Sequence, residues 1–380
     1  MAFLGKFPRG HHAIGIDIGS HAIKVVQLAP ARNGFTCLRA GSTPTPPEAI
    51  KQGVVEDRLA VAEAVDSLLN TLGITTPWVV AAVAGPTVVV RQVRLPVMPE
   101  QQLWKSITWE ARNHISFPVE DSTVSFQILG TNTVDGTLQM DVMLVATPRE
   151  LVDSRVEALE QAGLEPIAVE LEPFALIRGA LELPLDGQYP KETMALVSIG
   201  ATYTHISIVS NGQFVLTRSV TVAGDSFTAA IASALGVDTA QADEIKMTEV
   251  KAVSSEEDRA QLSPVGQQAS RALEPQLEEL VREVRRSFAF YDYQQTPGGS
   301  AADGVSHIIL TGGSANLPGL AECLNDQLSM RVETLDPFGQ GAVHIPDHAD
   351  ELHAQASLLS TAFGLALREP MLGREKGGAR

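Results

Sequence analysis

The sequence predicts a two-lobed α/β fold in which a unit of three strands is duplicated. Three apolar segments separated by short turns open the chain at residues 13–18, 23–28 and 35–42. The same arrangement returns at residues 194–199, 203–209 and 213–220, and a strand at 305–311 later runs into Gly312-Gly313-Ser314. Two copies of one unit can face each other across a cleft. We therefore expect a ligand site between two lobes.

Composition supports this organisation and excludes several classes of protein. At 380 residues the chain exceeds the usual size of one domain. A formal net charge of −17 repels phosphate backbones, so nucleic acid is not an expected partner. Cys37 and Cys323 lie far apart without metal-ligand spacing, which favours reduced structural cysteines. The first residues lack the apolar core of a signal peptide and no stretch approaches the ~20 apolar residues of a membrane span, so we expect a cytoplasmic chain.

The first lobe is expected to comprise residues 1–87. After the three strands, a helix is predicted over 58–72, with an apolar stripe of Leu59, Ala62, Val65, Leu69 and Leu72. Asp57 is placed to cap its start and Gly73 to end it. A strand at 78–84 completes the unit.

Residues 88–165 have a separate pattern that indicates an inserted subdomain. Strands are predicted at 88–95, 123–130 and 137–147, and a helix carries Leu103, Ile107 and Ala111 on one face. A second helix is expected to start with Thr147 as N-cap and Pro148 in its first turn, and to end at Gly163. Residues 166–192 then return to the first lobe.

The second lobe is expected to consist of three parts. Residues 193–225 repeat the strand unit, and residues 226–300 form a helical subdomain with helices at 227–235, 238–247 and 273–294. The polar run 254–268 is predicted to be a mobile loop or linker. Residues 301–368 complete the lobe and add a closing helix, while the Gly-rich and charged segment 369–380 is expected to be disordered.

Two glycine turns carry the chemistry that the residues themselves indicate. Asp17-Ile18-Gly19-Ser20 lies at a hairpin turn followed by Lys24, where backbone amides can approach a phosphate, a carboxylate can hold Mg²⁺ through water and a lysine can neutralise charge. Gly312-Gly313-Ser314 connects a strand to a helix, a geometry suited to backbone contact with a ligand. The alternatives are a plain hairpin and an ordinary strand-to-helix turn.

The ordered combination of these turns resembles the actin-like ATPase superfamily, which is built from duplicated ribonuclease-H-like units. Within it the chain is similar to the PilM family, a relative of FtsA that carries the inserted subdomain at the same place. The resemblance spans nearly the whole chain. The segments that carry it are Leu95-Pro96-Val97-Met98-Pro99, Trp109-Glu110-Ala111, Phe117-Pro118, Glu172-Pro173-Phe174-Ala175, Asp243-Glu244-Ile245-Lys246 and Gly312-Gly313-Ser314.

The resemblance implies a site for ATP and Mg²⁺ between the lobes. It places four residues in a first phosphate loop, with Mg²⁺ held by Asp17 through water: Asp17, Gly19, Ser20 and Lys24. A second phosphate loop would consist of Gly200, Ala201 and Thr202. Glu244 and Lys246 match the part that contacts ribose or adenine, although a solvated helix face is the alternative. Gly312, Gly313 and Ser314 would hold the adenosine.

One departure from the family pattern bears on hydrolysis. The second phosphate loop usually reads Asp-Ile-Gly, whereas this chain has Ser198-Ile199-Gly200. A serine cannot supply the negative charge that helps to hold Mg²⁺ and orient an attacking water. Asp17 and Glu172 are the remaining catalytic candidates, and the alternative for Glu172 is a role as a helix start only. We expect nucleotide binding with slow or absent hydrolysis.

The family resemblance implies an adaptor located at the inner membrane through its partners. The implied partners are the N-terminal cytoplasmic peptide of PilN and other inner-membrane or motor components of the type IV pilus; self-association stays open. Five residues are expected to border the peptide groove: Leu95, Met98, Trp104, Trp109 and Phe117. The three aromatic residues alternatively pack the insert.

Two other functions are compatible with the same superfamily. A small-molecule kinase would need a carboxylate base beside the transferred phosphate, which Ser198 argues against. An FtsA-like membrane tether would need a basic amphipathic C-terminal helix, and Met371-Leu372 is the only apolar pair after Pro370.

Overall fold

The first lobe contains the predicted meander of strands. The computed structural model describes residues 2–3, 12–134, 136–183, 191–253, 255–295, 304–345 and 349–377. Its first elements are β1 (Ala2–Phe3), β2 (Ile14–Ile18), β3 (Ala22–Ala31), β4 (Gly34–Pro44), β5 (Ile50–Lys51), β6 (Val54–Val55), α1 (Arg58–Leu72) and β7 (Trp78–Val83). Strands β2 and β3 pair antiparallel, β3 pairs antiparallel with β4, and β7 lies parallel to β2.

Helix α1 begins and ends where the sequence predicts. The Asp57 side chain accepts a hydrogen bond from the Ala60 amide at 3.0 Å, and Gly73 ends the helix in the left-handed conformation. The prediction for Leu59 is wrong, because the buried face of α1 is centred on Val61 and Val65 and leaves the Leu59 side chain 62% exposed.

The inserted subdomain has its own three-stranded sheet and one covering helix. Its elements are β8 (Val89–Pro96), α2 (Glu100–Ala111), β9 (Ser122–Val134) and β10 (Thr137–Pro148), with strand order β8-β10-β9. The predicted face of α2 is confirmed, since Leu103, Ile107 and Ala111 are buried against the sheet.

Helix α3 (Arg149–Gln161) starts differently from the prediction. Strand β10 continues through Thr147 to Pro148, so Pro148 occupies the N-cap and the Thr147 hydroxyl donates to the Pro148 carbonyl at 3.0 Å. Thr147 is therefore not the cap. Ala158 and Leu159 of α3 pack in the core of the first lobe. Leu151 and Val152 of the same helix pack with Val90 and Met143 of the insert, so α3 contacts both the insert and the first lobe.

The chain then returns to the first lobe and crosses to the second. The connecting elements are β11 (Glu165–Leu171), parallel to β7, and α4 (Glu172–Leu181). The second lobe consists of β12 (Thr193–Ile199), β13 (Thr204–Ser210), β14 (Gln213–Val220), α5 (Gly224–Leu235), α6 (Thr239–Thr248), α7 (Glu256–Ala260), α8 (Pro264–Gln295), β15 (His307–Thr311), α9 (Leu320–Leu328) and β16 (Arg331–Thr334). Its sheet has the order β14-β13-β12-β15-β16.

The predicted loop at 254–268 is wrong for the residues that the structure describes there. They form α7 and the start of α8, and residue 254 lies outside the described residues. The Ser255 hydroxyl caps α7 by accepting from the Asp258 amide at 3.1 Å. Arg259 is buried and pairs with Glu256 and Glu274, which fixes this polar segment against α8.

After the second lobe, the chain packs again on the first. The last elements are β17 (Val343–His344), α10 (Ala349–Ala354) and α11 (Ala356–Gly377). Strand β17 pairs parallel with β4, and β1 pairs antiparallel with β11, which gives the first sheet the order β1-β11-β7-β2-β3-β4-β17. The segment 301–368 is thus shared between the lobes. A two-residue strand such as β17 leaves too short a pattern to be predicted.

Helix α11 also extends beyond its predicted end. The expected disorder at 369–380 is wrong for residues 369–377, which continue the helix, and residues 378–380 lie outside the described residues. Met371 still packs against the apolar cluster that includes Phe363 and Val26, and this contact supports the turn after Pro370.

Helices α4 and α11 lie between the two sheets and contact each other. Leu176 and Leu181 of α4 pack on the second sheet, whereas Leu359 and Phe363 of α11 pack on the first. The contact between α4 and α11 therefore joins the apolar clusters of the two lobes.

A buried carboxylate fixes both helices to β11. Arg178 of α4 donates through Nη1 and Nη2 to the two oxygens of Glu170, at 2.6 and 2.9 Å, and through Nη1 to the Gly364 carbonyl of α11 at 2.7 Å. The Nε atom of Arg368 lies 3.6 Å from the same carboxylate. Such a group is stable in the interior only while its partners remain.

The two cysteines have the character that the sequence predicts. Cys37 and Cys323 are free and buried. Burial raises the pKa of the Cys37 thiol to about 11, which disfavours the reactive thiolate. Within the described ranges no helix combines the length and the apolar character that a bilayer span needs.

Candidate functional site

A cleft of about 610 Å³ separates the two lobes at the ends of β2 and β12. It brings together most of the predicted site, although the residues come from distant parts of the chain. The predicted residues that line it are Asp17, Gly19, Ser20, Lys24, Glu172, Gly200, Ala201, Thr202, Lys246, Gly312, Gly313 and Ser314.

The first turn places a carboxylate and an ammonium group on one wall. Asp17 and Lys24 are partners across β2 and β3, and the Lys24 ammonium lies 2.9 Å from Asp17 Oδ2. A Cβ atom at Gly19 would lie 2.6 Å from that ammonium nitrogen. Glycine at this position therefore leaves the lysine in place and the turn open to the cleft.

The second turn is tied to two other segments by backbone hydrogen bonds. The Gly200 carbonyl accepts from the Gly224 amide at the start of α5 and from the Ser314 hydroxyl, both at 3.0 Å. The Thr202 hydroxyl donates to Asp225 at 3.0 Å. The position of the 200–202 turn is thus set by α5 and by the 312–314 turn.

The 312–314 turn follows β15 and has a backbone that requires glycine. Gly312 has φ +89°, and a Cβ atom there would lie 2.5 Å from the Ile199 carbonyl oxygen. The Gly312 amide donates to the Ser357 carbonyl of α11 at 2.9 Å. This turn therefore touches both the second phosphate-loop candidate and the helix between the lobes.

Ser198, which stands where the family pattern has an aspartate, has a hydrogen-bond partner in the structure. The Ser198 hydroxyl donates to Glu172 Oε1 at 2.7 Å, and His205 Nε2 lies 3.9 Å from Glu172 Oε2. Glu172 is thus the carboxylate that lies at this end of the cleft. Its position at the first residue of α4 also agrees with the alternative interpretation as a helix start.

Of the predicted pair Glu244 and Lys246, only Lys246 lines the cleft. It donates to Asp243 at 2.6 Å and to Thr228 at 2.8 Å. Glu244 is exposed outside the lining, because one residue of α6 turns the side chain by about 100°. Asp243, which the sequence analysis did not select, takes its place.

Asp243 also faces the first lobe. Partial burial raises the pKa of its carboxyl, but the hydrogen bond and the charge of Lys246 outweigh that effect, and His21 adds to them. The pKa of Asp243 is therefore below its ordinary value. Since His21 belongs to the first glycine turn, the two lobes are close at this point of the cleft.

Arg155 is a cleft residue that the sequence analysis missed. It lies on α3, and its Nη1 atom donates to the carbonyls of Gly53 and, at 3.2 Å, Leu151. Burial lowers the pKa of Arg155 to about 10, and the charges of Asp17 and Glu172 only partly offset this effect. No local pattern marks this residue, since it occurs in a helix with many charged positions.

The five predicted groove residues do not form one cavity. Leu95 and Met98 pack against the core of the insert, and Phe117 is half-buried. Trp104 and Trp109 are 49% and 65% exposed, with Trp104 against Phe126. Both lie on α2, but five positions apart they point about 140° from each other around the helix axis.

A separate slot of about 30 Å³ lies between the insert and the first lobe. None of the five predicted groove residues lines it. Its walls are formed by Val83, Thr123, Ser125, Val145, Thr147, Val152, Val169, Glu170, Leu171 and Phe174. Strand β9 supplies Thr123 and Ser125, and in the described residues β9 is one of the two outer strands of the three-stranded sheet.

Comparison with known proteins identifies relatives along most of the chain. Residues 15–370 match the family model of the type IV pilus assembly protein PilM. A solved chain of the PilM-PilN type IV pilus biogenesis complex is 30% identical, with a TM-score of 0.80 over 95% of this chain and 99% of that chain. The cell division protein FtsA of Bacillus subtilis (strain 168) is 22% identical over 359 residues, covering 85% of this chain and 78% of the relative.

A more distant structure shows the same fold. MreB5 of Spiroplasma citri, solved with bound AMPPNP, is 13% identical and has a TM-score of 0.54 over 98% of this chain and 100% of that chain. The predicted actin-like, two-lobed fold is confirmed by these likenesses.

Proposed function

The chain belongs to the family of the type IV pilus assembly protein PilM, and from that membership we propose that it is an ATP-binding adaptor that docks a segment of PilN. The observation that carries the ATP part is the convergence of the turns at Gly19, Gly200 and Gly312 on one cleft. The PilN part is supported by the likeness to the chain of the PilM-PilN complex. In this proposal the protein acts in the cytoplasm and reaches the inner membrane through its partner.

The cleft has the chemistry that a nucleoside triphosphate and Mg²⁺ require. The polyphosphate lies between the Gly19-Ser20 and Gly200-Ala201-Thr202 turns, and Lys24 neutralises part of its charge. The adenosine lies towards Lys246 and the Gly312-Gly313-Ser314 turn. Mg²⁺ is usually bound by one or two carboxylates together with phosphate oxygens and water, and Asp17 supplies such a carboxylate at the wall.

The same geometry supports slow hydrolysis. A serine occupies position 198, and its hydroxyl is engaged by Glu172 at 2.7 Å. Glu172 is the remaining group for positioning a water, while no second carboxylate from position 198 helps to hold the metal. A role as an adaptor needs binding and the closure of the lobes on the nucleotide, not rapid turnover.

Replacing Lys24 by alanine is expected to weaken ATP binding by roughly tenfold or more, because a charge-assisted contact with phosphate contributes about 1.5–3 kcal/mol. Isothermal titration calorimetry with ATP and Mg²⁺ measures the change. Lys191→Ala is the matched control, since Lys191 is exposed and outside the cleft. A wild-type protein that binds no adenine nucleotide at millimolar concentration contradicts the proposed function.

We place the PilN segment in the slot beside β9. An extended peptide can pair with the outer edge of a sheet and insert side chains into adjoining pockets. Here the edge of β9 and the cavity coincide, with Thr123 on one wall and Leu171 and Phe174 on the other. The exposed side chains of Trp104 and Trp109 are the alternative borders of the groove.

Filling the slot is expected to prevent docking. Thr123→Trp places a large ring between β9 and the first lobe, and we expect the affinity for a peptide of the PilN N-terminal segment to fall by about tenfold or more. Fluorescence anisotropy with the labelled peptide measures it, and Trp109→Ala is the comparison variant, expected to stay within about twofold. If only Trp109→Ala weakens binding, the peptide docks on α2 beside Trp109 instead.

A further inference from the structure

Arg155 is a buried cation at the inner wall of the cleft. The residue is 5% exposed and lines the cleft together with Asp17 and Glu172. Its Nη1 atom is held by the Gly53 and Leu151 carbonyls. Its Nε atom is buried and has no hydrogen-bond partner among the described residues. A guanidinium group that is held at one end and unsatisfied elsewhere has capacity for another acceptor.

The charge of Arg155 is compensated less than that of the other cleft cations. Lys24 is paired with Asp17 at 2.9 Å and Lys246 with Asp243 at 2.6 Å. In the part of the chain that the structure describes, Arg155 forms no ion pair with a carboxylate. The lowered pKa of about 10 reflects the same imbalance, because burial outweighs the attraction of Asp17 and Glu172. Arg155 remains protonated at neutral pH, and an anion entering the cleft would relieve the cost of burying its charge.

We propose that Arg155 binds the terminal phosphate of the nucleotide and makes the cleft select a nucleoside triphosphate over a diphosphate. The inference rests on the proposed function, since it assigns a residue of that same site. Asp17, Arg155 and Glu172 line the same cleft as the two glycine turns. In this proposal the polyphosphate extends from the turns towards Arg155. A planar guanidinium group matches phosphate oxygens and keeps its charge when buried.

The alternative is a purely structural role for Arg155, in which it only holds the turn at Gly53. The two roles differ in what they do to the two nucleotides. A lost structural contact weakens ATP and ADP binding to a similar extent. A lost contact with the γ-phosphate weakens ATP binding and leaves ADP binding nearly unchanged, because ADP has no γ-phosphate.

The experiment compares ATP and ADP affinities, with Mg²⁺, for the wild-type protein, Arg155→Gln and Arg155→Lys. We expect the wild type to prefer ATP by about tenfold or more, the effect of one charge-assisted hydrogen bond or more. Arg155→Gln loses the charge and shortens the side chain, and its preference is expected to fall to within about twofold. Arg155→Lys keeps the charge on a shorter group and should show an intermediate preference.

Each outcome decides between distinct conclusions. A wild type that binds ATP and ADP equally, or an Arg155→Gln variant that weakens both nucleotides equally, overturns the role of Arg155 while leaving the ATP site intact. A wild type that binds neither nucleotide refutes the proposed function itself. Circular dichroism checks folding. If Arg155→Gln does not fold, the proposal is tested by comparing the preference for ATP over ADP between the wild type and Arg155→Lys. An unchanged preference in Arg155→Lys would then overturn the proposal.

Discussion

Replacing Glu170 by alanine is expected to lower the free energy of unfolding by about 3–5 kcal/mol. The Glu170 carboxylate accepts both Nη groups of Arg178 and lies 3.6 Å from Arg368 Nε. Its removal leaves two buried guanidinium groups without their shared anion. Because Arg178 and Arg368 belong to α4 and α11, the loss acts on the layer between the two lobes.

Urea unfolding followed by circular dichroism measures this change. Glu165→Ala is the matched control, since Glu165 lies on the same strand with an exposed side chain, and such substitutions usually change stability by less than about 0.5 kcal/mol. A Glu170→Ala protein with a stability close to that of Glu165→Ala would show that the carboxylate is not needed to hold the two helices.

The sequence predicted the duplicated strands and the glycine turns because these features are local. Gly19 and Gly200 follow apolar strands directly, and Gly312 follows β15 in the same way. Each signal is complete within a few residues. Equivalent turns of duplicated units then meet at one cleft by the symmetry of the duplication, which requires no knowledge of side-chain packing.

The features that the sequence did not predict depend on contacts between distant segments. In the sequence Glu170 is an ordinary charged residue. Its role depends on α4 and α11, which bring Arg178 and Arg368 beside it. Arg155 likewise acquires its place only when α3 packs beside the cleft. Asp243 lines the cleft and Glu244 does not, a difference of one position on α6 that the sequence pattern does not resolve.

The slot that we propose for the peptide has little signal in the sequence. The aromatic residues Trp104 and Trp109 are candidates for a binding groove in the sequence, yet both side chains are exposed on α2. The slot is bordered instead by small side chains such as Thr123 and Val152, and it exists only because the insert leans against β11. Small residues at the junction of two subdomains carry no periodic signal.

Replacing Gly312 by alanine is expected to cost about 2–6 kcal/mol of stability, adding a strained backbone of about 1–3 kcal/mol to a steric clash of similar size. The φ of +89° disfavours an L-residue, and the new Cβ would lie 2.5 Å from the Ile199 carbonyl oxygen. Relief of that clash must move the 312–314 turn away from the end of β12. We therefore expect weaker ATP binding as well as lower stability.

Gly313→Ala is the control for Gly312→Ala. It adds the same methyl group to the turn at a position without a positive φ. A Cβ atom at Gly313 would lie 3.3 Å from Leu358 Cδ1, the end of a flexible side chain, and the cost is expected to stay below about 1 kcal/mol. Denaturant unfolding and calorimetric titration of both variants test the difference. Equal losses in the two variants would mean that the cleft depends on the space in this turn and not on the conformation that only glycine permits at position 312.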